Sequence, residues 1–138
     1  MPASTYAANA LLNLFLRGVA VTAPTRVYVS LHTGDPGDTG VNEVTLVAWP
    51  AYTRLDAALA GAIATGFSAA SGKATANLKE LLYAANNGAS QVVVTHFGIW
   101  DAATGGNLLF YDDLTGAKTY FPSDEGVIHA GSLAVGVI

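Results

Sequence analysis

A chain of 138 residues fits one ordinary domain, long enough to bury roughly two thirds of its unfolded surface in a single core. Charged residues supply only 12% and hydrophobic ones 51%, so much of the surface has to be Ala, Gly, Ser, Thr and Asn, which suits contact with copies of the chain or with another protein. The net charge of −4, the pI near 5.0 and six scattered cations, Arg17, Arg26, Arg54, Lys73, Lys79 and Lys118, argue against nucleic acid, and zero cysteines exclude disulfides, thiolate metal sites and cysteine nucleophiles.

Residues 1–18 lack the basic start and long apolar core of a signal peptide, and no run approaches the roughly 20 apolar residues of a membrane span. A soluble chain made in the cytoplasm, with no membrane partner, is expected. Ser4 and Thr5 precede a stretch in which Leu11, Leu12, Phe15 and Leu16 recur at helical spacing, with Arg17 in the last turn and Gly18 beyond it. The pattern predicts a helix of about three turns over residues 6–17. It either covers one end of a sheet or serves as an arm on a neighbouring subunit.

Arg26, Tyr28, Ser30 and His32 alternate with Val27, Val29 and Leu31, which predicts a half-buried strand. Thr33-Gly34-Asp35-Pro36-Gly37-Asp38-Thr39-Gly40 is dense in turn formers and reads as an exposed loop, used for contact rather than folding. Residues 43–47 read as another strand, which 49–54 continue past a break at Pro50. Between Leu55 and Ala76 periodicity and charge fade, and no element is assigned. Residues 77–83 fit a strand or one helical turn, and Asn86-Asn87-Gly88 fits a turn.

Thr95-His96-Phe97-Gly98-Ile99-Trp100, then Asp101-Ala102-Ala103-Thr104-Gly105-Gly106, then Asn107-Leu108-Leu109-Phe110-Tyr111 is the composition of a β-hairpin with positive φ at Gly105 or Gly106. Apolar residues on both sides of the incoming run, Val93, Phe97 and Ile99 against Val92, Val94 and Trp100, place that strand at the centre of a sheet. A polar connection at Asp112-Asp113, a short strand over 118–121, a turn over 122–126 and a closing strand through Leu133, Val135 and Val137 complete the chain. The expected architecture is mainly β: an antiparallel β-sandwich with one short N-terminal α-helix, the single domain 1–138 comprising a helical arm (1–18) and the sandwich (25–138).

No catalytic set emerges. His32, His96 and His129 show no metal-ligand spacing, the acids of 35–40 lack the regular pattern and distal Glu of a calcium loop, and no Gly-x-Ser-x-Gly elbow or phosphate-binding glycine fingerprint is present. No cofactor, no metal and no enzymatic activity are expected. Trp49 and Trp100 serve either the core or a contact surface. The candidate interaction residues are Leu11, Leu12 and Phe15 on the helix, Asp35, Pro36 and Asp38 in the loop, and Trp49.

The phrases VTHFGIWDAATGGNLLFY, VYVSLHTGDPGDTGVNEV and AGSLAVGVI together resemble a group of small tailed-bacteriophage virion proteins, usually labelled tail-fibre or structural proteins. The resemblance covers about two thirds of the chain and is weaker over 55–90. It implies a virion location after synthesis in the host cytoplasm. The partners it implies are the major capsid protein or other virion proteins, and copies of the chain itself. With the low charge and helical arm, a capsid cement protein bridging capsomers is the leading expectation. A tail-fibre or tail-tip component meeting the host surface is the alternative. A hydrolase of host polysaccharide would instead require a carboxylate pair in an aromatic cleft.

Overall fold

A computed structural model describes residues 3–137. Met1, Pro2 and Ile138, the outer ends of the expected arm and closing strand, lie outside the described residues. The fold is mainly β, every strand pairing is antiparallel, and the described residues hold one α-helix, α1 (Thr5–Arg17), at the N-terminal end. The ends of α1 are those the sequence specifies. The Ser4 side chain accepts the Ala7 N–H at 3.1 Å, and Gly18, at φ 65°, donates its N–H to the Asn13 carbonyl.

The main sheet runs β2 (Leu55–Asp56), β1 (Tyr28–His32), β5 (Val92–Trp100), β6 (Leu108–Tyr120), so the strand expected at the centre is flanked on both sides. β5 pairs with β1 in a regular register, Val29 opposite Ile99 and Leu31 opposite Phe97. Its pairing with β6 forms the expected hairpin, with Gly105 and Gly106 at φ 61° and 75°. β6 is a single strand of 13 residues, so Asp112 and Asp113 lie within it rather than in a connection. Residues 114–117 bulge out opposite Thr95 alone. Across that irregularity the alternation of β5 shifts by one: Val92 and Val94 enter the same core as Phe97 and Ile99, while Val93 is left exposed. The expected division of β5 into two faces therefore fails at Thr95. A bulged partner lets side-chain parity slip.

The inner face of this sheet meets two ribbons. β4 (Leu81–Tyr83) pairs with β7 (Gly126–Ile128), and β3 (Ala74–Ala76) pairs with β8 (Ala134–Gly136). Leu81, Tyr83, Ile128, Leu133 and Val135 close over Val29, Leu31, Val94, Phe97 and Ile99, the layered packing a sandwich requires. The closing strand thus joins a ribbon and not the main sheet. Between β2 and β3 lies one 3₁₀ turn, Ile63–Thr65.

No strand forms over 43–54. β1 gives the outer edge of Tyr28 and Val29 to β2, which leaves only the isolated bridge between His32 and Glu43. Beyond it the chain turns, the Trp49 N–H reaching back to the Thr45 carbonyl at 2.9 Å, and this turn inserts Trp49 and Tyr52 into the core. β1 is buried on both faces, including Ser30 and His32, where one solvated face was expected.

The two turn glycines are not equivalent. A Cβ at Gly105 meets open space, whereas one at Gly106 would lie 2.5 Å from Asp101 Oδ1 and 2.6 Å from Ala102 Cβ. Asp101 is held in place because its carboxylate closes the turn, accepting the Asn107 backbone N–H at 2.7 Å and side-chain amide at 2.9 Å. Gly105→Ala should cost roughly 1 kcal/mol for its positive φ. Gly106→Ala should cost distinctly more. Equal melting temperatures for the two variants would contradict this reading of the turn.

Candidate functional site

α1 buries no residue, although most of its surface is apolar. Thr5, Asn9, Asn13 and Arg17, four apart, form one polar flank. The inner face, with Tyr6, Ala10, Leu11 and Leu14, lines a groove of about 360 Å³ shared with the returning segment 21–24 and Leu109. Helical spacing puts Ala8, Leu12, Phe15 and Leu16 on the opposite side, where Leu12 is 55%, Phe15 75% and Leu16 77% exposed.

Hydrogen bonds fasten the N-terminal end of the helix to the β domain. Ile99 pairs with Phe110 and Trp100 with Leu108, so Leu109 bulges, and its carbonyl accepts the Ser4 N–H at 2.9 Å. The Ser4 hydroxyl donates to the Leu108 carbonyl, and Ala3 bridges to Phe110. Asp38 completes the clasp. One carboxylate oxygen accepts the Thr5 N–H at 3.1 Å and the other the Thr5 hydroxyl, a negative charge set at a helix N-terminus. The structure thus joins the helix to the 33–42 loop, two segments that sequence singled out separately.

Most of that loop is exposed, as the sequence predicts, but hydrogen bonds within it and the sheet beneath it hold it in place. Pro36 is buried and its carbonyl accepts both the Gly40 and Val41 N–H at 2.9 Å. Asp35 is exposed, but its carboxylate accepts the Gly37 N–H at 2.9 Å. Gly40, at φ 76°, lies so close to Trp100 that a Cβ would fall 2.3 Å from the indole.

Beneath the loop runs a buried polar chain. Trp100 Nε1 donates to Ser30 Oγ at 2.8 Å, Ser30 Oγ lies 2.7 Å from His32 Nε2, and His32 Nδ1 lies 2.9 Å from the Val41 carbonyl. A carbonyl can only accept, so Nδ1 carries the proton and Nε2 accepts from the serine. The Arg54 guanidinium stacks 3.7 Å from the Trp100 ring, bonds both oxygens of Glu43, and donates to the Ala102 and Gly105 carbonyls of the hairpin turn at 3.0 and 2.9 Å. Tyr52 donates to Glu43 at 2.8 Å and accepts the Leu31 N–H at 3.0 Å. The chain ties loop, turn and sheet together. Ser30 and His32 are fully enclosed, and the imidazole faces a carbonyl rather than a carboxylate, so the pair lacks the access and orientation of a nucleophilic dyad.

Residues 2–136 match the family model described as podophage GP4 fiber I protein gp80. The chain belongs to this family. No curated protein matches it. Membership in the fiber I family identifies a phage virion structural protein, consistent with the resemblance carried by the hairpin and loop phrases. Among the described residues of this fiber I family member, no group of three or more His, Asp or Glu could hold a metal ion, and no helix is long and apolar enough to cross a membrane.

The seven candidate residues fall into three environments. Leu12 and Phe15 lie on the open face of α1, and Leu11 on the groove side, 42% exposed. Asp35 and Asp38 are exposed but engaged within the chain, and Pro36 is buried. Trp49 is fully buried, its Nε1 donating to the Ala84 carbonyl at 3.0 Å, so it presents nothing to a partner. Leu16, outside those seven, is the most exposed side chain of the open face, where its spacing of four from Leu12 places it.

The buried chain gives the fold a pH dependence. Burial lowers the His32 pKa below its ordinary 6.5, against the opposing pull of the Val41 carbonyl and of Glu43, with Arg54 and His96 adding to the lowering. The unfolded chain then binds more protons between the two values, so this stabilisation is complete above about 6.5 and is lost as pH falls towards the folded value. Burial alone would raise Glu43, but the hydrogen bonds from Arg54 and Tyr52 outweigh it and hold the carboxyl below 4.5. Asp56, likewise pushed up by burial, is held below 3.8 by the Ala58 and Ala60 N–H groups and Arg26. Both contribute stability that disappears below those values, while Asp112, raised by burial and Asp113, works the other way in the same acid range. Melting temperature should therefore decline in two steps, one below about 6.5 and one in acid. A profile flat between pH 7.5 and 5.5 would contradict the assignment of His32.

Proposed function

We propose that this chain is a non-enzymatic structural component of a phage fibre, joined to neighbouring virion proteins through the open face of α1. The observation that carries the reading is an apolar helix fastened at one end to a packed β domain and covered by none of it on its outer side. Burial of that face on assembly would stabilise the joined state, because a surface satisfied only in the complex shifts the equilibrium towards it. The description of the matching family as a fiber protein favours the fibre location over the tail-tip and capsid alternatives. Synthesis in the host cytoplasm and a virion destination accompany the proposal.

A capsid cement subunit is the second reading, favoured by the same fastened arm, which suits a protein that bridges the major capsid protein of adjacent capsomers. Copy number separates the two. Quantitative mass spectrometry of purified virions should find a few to a few dozen copies per particle for a fibre component. Hundreds of copies would favour cement. Absence from the particle would overturn both.

A further inference from the structure

We infer that Asn87 is a latent deamidation site, one that the buried side chain of Asn86 holds unreactive in the folded chain.

The chemistry belongs to the dipeptide. Asn87 is the only asparagine of the chain followed by glycine, and it is exposed. With no side chain on Gly88 to obstruct the approach, the Gly88 backbone nitrogen can attack Asn87 Cγ. The N–Cγ bond forms, the Cγ–Nδ2 bond breaks, and Nδ2 leaves as ammonia with the proton of the Gly88 amide. Water then opens the cyclic imide at either carbonyl, leaving aspartate or isoaspartate. Packing keeps the glycine in place, since a Cβ on Gly88 would lie 2.0 Å from the Ala48 carbonyl oxygen.

The fold occupies both reacting groups. The Gly88 N–H, whose nitrogen is the nucleophile, donates to Asn86 Oδ1 at 2.9 Å, and Asn87 Oδ1 accepts the Ala51 N–H at 2.8 Å. Asn86 is buried, and its Nδ2 donates to the Ser90 and Tyr120 carbonyls at 3.1 and 3.0 Å, which fixes Oδ1 as the atom turned to Gly88. Its backbone is pinned as well, the N–H on the Asp124 carbonyl at 2.8 Å and the carbonyl on the Ser123 N–H at 2.7 Å. Reaction therefore waits on local opening of this turn. Isoaspartate would make the opening permanent, because it routes the main chain through one extra carbon and displaces the contacts with Ala48 and Ala51 that flank Trp49.

The full chain, kept folded in mildly alkaline buffer, should convert at Asn87 far more slowly than the same chain in urea, as followed by peptide mass spectrometry and by enzymatic methylation of isoaspartate. Asn86→Ala should speed conversion of the folded chain about tenfold, the extra opening that loss of one hydrogen bond permits. Ile99→Val, which loosens the core at the pairing of β5 with β1 and away from this turn, should leave the rate near that of the wild type. Hydrogen exchange reads the same contact without a substitution, and the Gly88 amide of the wild type should be protected. Equal rates for the folded and unfolded wild type, no acceleration in an Asn86→Ala variant that is folded by circular dichroism, equal acceleration by Ile99→Val, or an unprotected Gly88 amide would each overturn the inference.

Discussion

Arg54→Met should lower folding stability by about 3 kcal/mol, the lower end of the range for breaking a buried ion pair, because Glu43 keeps some contact with water. The guanidinium is nearly enclosed, and its partners have no substitute for it. Glu43 would be left with Tyr52 alone, the Ala102 and Gly105 carbonyls would lose their donor, and the Trp100 ring would lose the planar cation on its face. The cost is that of stranded groups rather than the net value of the pair. Arg54→Met with Glu43→Gln should therefore recover a substantial part of the loss, a coupling that a double-mutant cycle in urea measures. Midpoints equal for the single and double variants would contradict the account.

Trp49→Ala is expected to cost about 3–5 kcal/mol. The indole is fully buried, its ring centre 5.5 Å from that of Tyr120 and 6.1 Å from that of Tyr52, both tilted at 56°. Truncation would open a cavity against both rings. The site is also fitted on its other side, where a Cβ on Gly126 would lie 2.9 Å from the ring edge. Trp49→Phe should retain most of the packing and lose the bond to the Ala84 carbonyl, about 1 kcal/mol or somewhat more. A change within about 1 kcal/mol for Trp49→Ala would return Trp49 to the surface.

The parts of the fold legible in the sequence are those dictated locally. Ser4, Arg17 and Gly18 mark the ends of α1, and paired glycines between two apolar runs mark the hairpin, because caps and positive φ are properties of a few adjacent residues. What was not legible depends on distant partners. The 33–42 loop reads as exposed from its Gly, Pro and Asp content, and most of it is, yet Gly40 rests against Trp100 and Asp38 is used by Thr5, residues far along the chain in either direction. Val44, Leu46 and Val47 have strand composition, but β2 occupies much of the edge of β1 they would need, and Leu46 and Val47 end up exposed. Ser30 and His32 alternate like the wet side of a strand. Their burial follows from Trp100, Arg54 and the loop above them. At the candidate site, helical spacing revealed Leu12 and Phe15, whereas no local signal told that Trp49 faces inward beside Pro50.

The central claim is that the open face of α1 serves assembly and not folding. Its most direct test is incorporation of the Phe15→Glu, Leu16→Glu variant into particles, supplied in place of the wild-type protein during infection and quantified in purified virions. The account predicts a variant with the wild-type melting temperature that is absent from particles. Incorporation at the wild-type copy number would contradict it.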